Sequence, residues 1–592
     1  MAILQSIAAQ FRPSPEDSSP EPSVKEKDSD VEDKAPADVP VHVADSNTAA
    51  GVAGIEAMQA IWGTKGRWIL ISGLALMMII FELDNTTVYN YQTFATSSFS
   101  QLSKLSAIST AQTLVSAVIK PPIAKLSDVI GRGETYLLTI SCYLLSYILC
   151  ASSATVDVYA GGAMFYAVGQ SGTQILDQII IADISNQRWR GFAIGFSYFP
   201  FLITPWVSAF IVDSVVNGIG WRWGIGMFAI LMPFCASFIV VTLIYFGRKS
   251  RKAGLVVRKR LTLYDYCSLI DLGGMILLLG GFVMLLLPFC LAATTPSQWK
   301  TAYLDALIGV GAVFLIALVP YEKYYAKHPV VPLRYFKNMT IVMSCLLSAF
   351  DAVGFACTHT YLYAWSIVTH NYSVRSATFL VYLNGVTQCL VGIGAGWIMY
   401  KMRCYKWMLV VGCAIRFVGY GVMMRLRGQE NSMAELFVVQ AVQGIGSGIV
   451  ETIVLVSAQI VVPHAELAQI SSLVLLIGFL GSAVGQSIAG GIYTNTFPAR
   501  LHERLPNASD EEVKALINSI TGVLPEWGTA DRIAVNYAYS DVMRYITIVA
   551  LAVSVPIMIF GLLLPDKRLG DAHNAAEGTD VAGRPVEAPT EK

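Results

Sequence analysis

The stretch Phe81-Glu82-Leu83-Asp84-Asn85-Thr86-Thr87-Val88-Tyr89-Asn90-Tyr91 decides how this chain is read. It continues an apolar run that opens Trp68-Ile69-Leu70-Ile71-Ser72-Gly73-Leu74, so two carboxylates fall at the depth of a bilayer core. A charge in hydrocarbon costs roughly 3 kcal/mol or more unless it pairs, faces a polar cavity or takes up a proton. An acid inside a membrane span is therefore a functional-site candidate. The two acids are two residues apart, roughly 200° around a helix, so one cavity cannot take both. Asp84, Thr87 and Tyr91 share one face, and Glu82, Asn85 and Tyr89 share another. The plainer reading of either acid is a side chain reaching to the headgroups.

The rest of the chain reads as the wall around such a cavity. Of its 592 residues, 54% are hydrophobic and 14% charged, with mean hydropathy +0.55. Soluble domains carry about 25% charged residues, which excludes a soluble multidomain protein. Net charge is zero, so no bulk field recruits nucleic acid. The ten cysteines lie in apolar runs without a C-x-x-C pair, and read as small buried hydrophobes rather than metal or redox groups. No G-x-S-x-G or H-E-x-x-H motif is present, so no enzyme is expected, and no cofactor or bound metal.

Apolar stretches of membrane-spanning length fall at 68–94, 106–124, 134–154, 158–182, 190–213, 222–246, 267–291, 303–321, 340–367, 375–400, 406–426, 434–461, 466–494 and 541–564, fourteen in all. Residues 1–65 are rich in Pro, Ser, Asp, Glu and Lys and read as a disordered tail, as do 565–592. Lys and Arg concentrate in the loops after even-numbered spans, among them Arg248, Lys249, Arg251, Lys252, Arg258, Lys259 and Arg260. By the positive-inside rule both termini are cytoplasmic and 495–540 is a long external loop.

An internal repeat is visible. Ala167-Val-Gly-Gln-Ser-Gly-Thr-Gln-Ile-Leu-Asp177 aligns without a gap on Ala441-Val-Gln-Gly-Ile-Gly-Ser-Gly-Ile-Val-Glu451, which sets Asp177 opposite Glu451. The expected organisation is a six-helix bundle at 66–246, two inserted helices at 267–321 and a second six-helix bundle at 340–564, with substrate bound between the halves near mid-membrane. Gln170, Gln174, Asp177 and Gln178 form one polar face of the fourth span, lining either a cavity or a helix interface.

The first short loop on the cytoplasmic side reads Ala124-Lys-Leu-Ser-Asp128-Val-Ile-Gly131-Arg132-Gly133-Glu134. Here the chain resembles the major facilitator superfamily, whose signature is G-x-x-x-D-x-x-G-R-R/K. Asp128, Gly131 and Arg132 match, while Ala124 and Gly133 depart from it. The resemblance implies an all-α polytopic membrane protein of the major facilitator fold, with about 14 transmembrane helices in two pseudo-symmetric six-helix halves and two inserted helices. Asp84 is similar to the first-helix aspartate of the fourteen-helix branch. The proton-antiport drug exporters of that branch carry an Arg in the fourth span and a glycine-rich motif in the fifth. Here there is no such Arg, and Thr204-Pro205-Trp206-Val207-Ser208-Ala209 keeps only the proline.

What remains is similar to the fungal siderophore–iron transporters. The resemblance rests on Phe81 to Thr87, on Ile175 to Ile184 before Arg188 and Arg190, on Tyr361-Leu-Tyr-Ala-Trp365, and on the long loop leading into Tyr537-Ala-Tyr539-Ser540-Asp541. It implies proton-driven import of ferric siderophores. Asp84, Glu82, Asp177 and Glu451 are then the proton-coupling candidates, and Tyr89, Tyr91, Gln174, Tyr361, Tyr363, Trp365, Tyr539 and Asp541 the substrate-binding ones. Asp128, Gly131, Arg132, Asp183 and Arg190 are the gating candidates. A carboxylate in water titrates near 4, and withdrawal from water disfavours its charged form, the behaviour a proton carrier needs. The aromatic residues would wall a wide pocket, or else form the interfacial belt. Asn371 and Asn507 head glycosylation sequons. A drug or metabolite exporter, and a transporter-like receptor, are the competing functions. The expected setting is a monomer in the plasma membrane, with intracellular vesicles the alternative; its partners are a ferric siderophore, protons and lipid.

Overall fold

The computed structural model describes residues 50–184, 199–253, 264, 267–268, 271–291, 300–327, 329, 333–462, 467–506, 508–520 and 524–566. No β-strand occurs among them. The helices are α1 (Ala50–Ser98), α2 (Leu105–Val129), α3 (Arg132–Ser152), α4 (Val156–Ile184), α5 (Thr204–Asn217) and α6 (Phe228–Lys252), then α7 (Leu272–Leu291) and α8 (Ala302–Tyr324). There follow α9 (Met339–His359), α10 (Leu362–His370), α11 (Val374–Met402), α12 (Lys406–Leu426), α13 (Met433–Gln459), α14 (Leu467–Arg504), α15 (Asp510–Asn518) and α16 (Ala530–Leu563). Eleven helical segments of the described residues are long and apolar enough to cross a membrane. Where their residues are described, the expected spans fall on helices. The fifth is seen as α5 only from Thr204 on, the sixth is divided between a short helix Trp221–Gly226 and α6, and α9 and α10 share the ninth.

One scheme of neighbours occurs twice. α1 packs on α5 and α6, α3 on α4 and α6, and α2 on α4. In the later set α9 packs on α14 and α16, α12 on α13 and α16, and α11 on α13. α4 and α13, whose sequences align, therefore hold corresponding positions, as do α1 and α9, and α3 and α12. Across the two sets α2 meets α14 and α5 meets α11, which are again corresponding pairs. α7 and α8 pack on each other, and α7 lies against both α2 and α14.

Two boundaries differ from the sequence reading, the second because local capping outweighs polarity. α1 begins at Ala50, inside the segment expected to be tail, and carries the weakly polar run through Lys65 and Arg67 into the span. The expected external loop 495–540 is largely helical. α14 continues to Arg504. Ser509 and Glu512 form a capping box that starts α15, and the Thr529 side chain accepts from the Arg532 amide to start α16. Residues 1–49 and 567–592, where most of the expected tails fall, lie outside the described residues.

Candidate functional site

A cavity of about 180 Å³ opens between α1, α2, α3, α4 and α14, lined by polar groups that include Asn85, Tyr89, Gln92, Gln112, Tyr147, Tyr166, Gln170 and Gln486. A helix presents one face to such a space, and Asn85, Tyr89 and Gln92 follow at the spacing of one face. Many of these groups bond to one another across helices. The Gln170 amide donates to Asn85 Oδ1 at 3.1 Å, that of Gln92 to Gln112 Oε1 at 3.1 Å, and the Thr113 hydroxyl to Gln486 Oε1 at 3.0 Å. The last bond joins α2 to α14 and so bridges the two helix sets.

Asp84 sits behind this wall, fully out of solvent. The Tyr147 hydroxyl donates to one carboxylate oxygen at 2.8 Å and the Tyr166 hydroxyl to the other at 2.7 Å. Both tyrosines line the cavity, so a single hydroxyl separates the carboxylate from the polar space on each side. No Lys, Arg or His among the described residues pairs with it. Tyr143 and Tyr166 meet edge-on at 5.5 Å and Tyr143 stacks on Tyr147 at 5.4 Å, which holds the phenols in place.

The other three acids differ. Glu82 is buried on the face of α1 that carries Asn85 and Tyr89, does not itself line the cavity, and accepts from the Asn85 amide at 3.5 Å. Asp177 is buried and accepts from the Tyr136 hydroxyl at 2.8 Å, away from the cavity. Glu451 is exposed and accepts from Gln388. Gln174, on the same stripe as Asp177, does not reach the cavity, whereas Gln170 does.

At the hairpin between α2 and α3, Gly131 adopts φ +120°, a conformation that favours glycine, and a Cβ there would meet Glu134 Oε2 at 2.7 Å. Arg132, buried, donates to Asp183 Oδ2 at 3.1 Å and to the Ser127 hydroxyl at 2.6 Å. The hairpin is thus tied to the end of α4. Glu134 pairs with Arg251 of α6 at 2.7 Å. The side chain of Asp128, and all of Arg190, lie outside the described residues.

The family description Major Facilitator Superfamily fits residues 66–486. The chain belongs to the major facilitator superfamily. The MFS siderochrome iron transporter C of Aspergillus fumigatus is 32% identical to it, over 89% of this chain and 88% of that one. The low affinity heme transporter str3 of Schizosaccharomyces pombe is 30% identical, over 89% and 87%. A crystal structure of the peptide transporter POT in complex with sulfate superposes with TM-score 0.50 at 14% identity, covering 84% of this chain and 95% of that one. That likeness speaks to the fold alone. Membership makes the chain a transporter and not an enzyme.

Within the superfamily fold the expected aromatic wall is mostly elsewhere. Tyr89 lines the cavity, but Tyr91 is buried against Gly224, where a Cβ would meet its ring at 2.6 Å. Tyr361 stacks on Tyr493 at 4.1 Å, Tyr363 meets Phe94 edge-on at 5.9 Å, and Trp365 donates to the Ser540 hydroxyl at 3.4 Å. All three are buried core side chains, because the break between α9 and α10 turns them into the bundle. Tyr539 is buried too, packed on Phe497 at 4.8 Å. It sits inside α16 rather than at a loop join, and Asp541 beside it is paired with Arg504 at 2.5 Å. Asn371 is exposed, in the left-handed conformation that ends α10; Asn507 lies outside the described residues.

Sequence reading missed two groups. Tyr147 and Tyr166 carry no sequence signal beyond the helical spacing of Tyr143 and Tyr147, whose polar tips could have drawn notice. Asp351 of α9 and Arg416 of α12 form an ion pair at 2.6 Å, the arginine buried and the aspartate largely so, and both were visible as charges within apolar runs.

Proposed function

We propose that this chain imports ferric siderophores of the hydroxamate type by proton symport, through alternating access of its two six-helix sets. Asp84 binds the proton. The observation that carries this reading is the Asp84 carboxylate, buried without a cation and held by two tyrosine hydroxyls that line the cavity. Such a group exchanges a proton with the cavity through its phenol partners, as a carrier must. Asp351, on the corresponding helix, is neutralised by Arg416 and has no such freedom. The names of the fungal relatives support a chelated-iron substrate. Cavities that hold drug-sized ligands run to about 300–1,000 Å³, so the contracted space seen here widens to admit a chelate. In this reading the two termini are cytoplasmic, the plasma membrane is the site of action, and the protein works as a monomer.

The test is uptake in a host lacking its own siderophore transporters. Iron-labelled ferric trihydroxamates and haemin, the latter suggested by the Schizosaccharomyces pombe relative, are supplied at acidic and neutral external pH. The trihydroxamates are expected to accumulate faster at acidic pH and to stop when a protonophore is added. Failure of every ferric hydroxamate to enter cells that display the protein at their surface overturns the proposal, and uptake of haemin alone replaces its substrate.

A further inference from the structure

One cation near the cavity is unused by that mechanism. On α2, Ser109, Gln112, Thr113 and Ser116 line the cavity, and Lys120 continues the same face one turn further toward the hairpin. Its ammonium lies 4.3 Å from the centroid of the Phe479 ring of α14, and Phe479 itself lines the cavity. Lys120 is half-buried, beside an apolar cluster to which α2, α7 and α14 contribute Ala117, Leu278 and Leu476. Among the described residues it has no carboxylate and no hydrogen-bond acceptor. An ammonium over an aromatic face gains about 0.5–2 kcal/mol, less than full hydration or an anion would provide. The group is held at the seam between the two helix sets with its charge unanswered.

We propose that Lys120 selects substrate by charge. It meets negative charge on the chelate at the floor of the cavity, so that ferric chelates bearing a free carboxylate bind ahead of neutral ones, and neutral ahead of positive. This rests on the reading of the cavity as a ferric-chelate site. Three hydroxamates balance the charge of one ferric ion, so a pendant group sets the sign of the complex. Because Lys120 bridges α2 to α14 through Phe479, it meets substrate where the two sets must part.

The experiment uses the full chain in liposomes and one scaffold in three charge forms: ferrioxamine with its free terminal amine, the same amine acetylated, and the same amine succinylated. Half-saturation concentrations are measured for wild type, Lys120→Met, Lys120→Gln and Lys120→Arg, each checked for a native elution profile and melting temperature. Wild type is expected to prefer the succinylated to the amine form by about tenfold, the size of one well-placed charge contact. The preference should vanish in Lys120→Met and Lys120→Gln and persist in Lys120→Arg. An unchanged charge order in either neutral variant overturns the assignment of Lys120 alone. If no form binds the wild-type protein, the chelate reading of the cavity falls with it.

Discussion

Asp84 and Asp351 sit on corresponding helices, yet one is met by phenols and the other by a guanidinium. On the proposed mechanism the difference separates a titrating group from a structural one. Asp84→Asn, which mimics a permanently protonated carrier, is expected to keep ligand binding and counterflow exchange while losing accumulation driven by a pH gradient. Accumulation with wild-type dependence on external pH would remove Asp84 from the coupling role. Arg416→Met leaves the largely buried Asp351 carboxylate unpaired, a loss of about 3 kcal/mol, and should lower the melting temperature sharply. The double variant Asp351→Asn with Arg416→Met should recover much of that loss; if it melts no higher than the single variant, the pair is not what holds α9 to α12. Asp84 was legible in the sequence because an acid in an apolar run has few readings. Its partners were not, since they lie 63 and 82 residues away and a tyrosine in a span has many.

At the scale of elements, the apolar runs announced the helices, but not where the polar segments would coil or wind. Ser509 with Glu512, and Thr529, are start signals that turn much of a supposed loop into α15 and the first turns of α16. Tyr539, expected to capture ligand, lies inside a helix packed against Tyr493 and Phe497, and we propose that packing is its role. Tyr539→Ala opens a cavity in that cluster and should cost about 3 kcal/mol, in the range of buried aromatic truncations. Thermal unfolding in detergent should register the loss while the half-saturation concentration for chelate holds within twofold of wild type; a large rise in that concentration at unchanged stability would restore the capture role. The hairpin was read from Asp128, Gly131 and Arg132, and the structure gives Arg132 its partner in Asp183. That link runs between sequence-distant helices and no spacing rule reveals it.

Across the whole molecule, the repeat legible in eleven aligned residues of α4 and α13 extends to a shared scheme of helix neighbours. The sets also touch beyond α2 and α14. Arg375 of α11 pairs with Asp213 of α5 at 3.0 Å. The hydroxyls of Ser97, at the end of α1, and Ser519, just after α15, lie 3.1 Å apart, and Ser97 also accepts from the Ile520 amide at 2.8 Å. If the sets rock apart during transport, this contact opens. Replacing both serines by cysteine brings two sulfurs within reach of a disulfide. The oxidised double variant is expected to stop transporting and to resume when reduced; undiminished transport by a fully cross-linked protein would show that this contact stays shut throughout the cycle.

The lack of a cation beside Asp84 has an electrical consequence. A carrier whose proton site holds no fixed positive charge is neutral when loaded and negative when empty. In the proposed symport, one proton with an uncharged chelate moves one net positive charge inward per cycle. With no fixed cation at the site, the return of the empty, negative carrier is the step that bears it. Voltage across the membrane contributes about 2.3 kcal/mol per 100 mV for that charge, worth roughly 50-fold in accumulation. In liposomes with equal pH on both faces, an inside-negative potassium diffusion potential should by itself concentrate a neutral ferric chelate, and uptake indifferent to that potential would mean that a second charge travels with the proton.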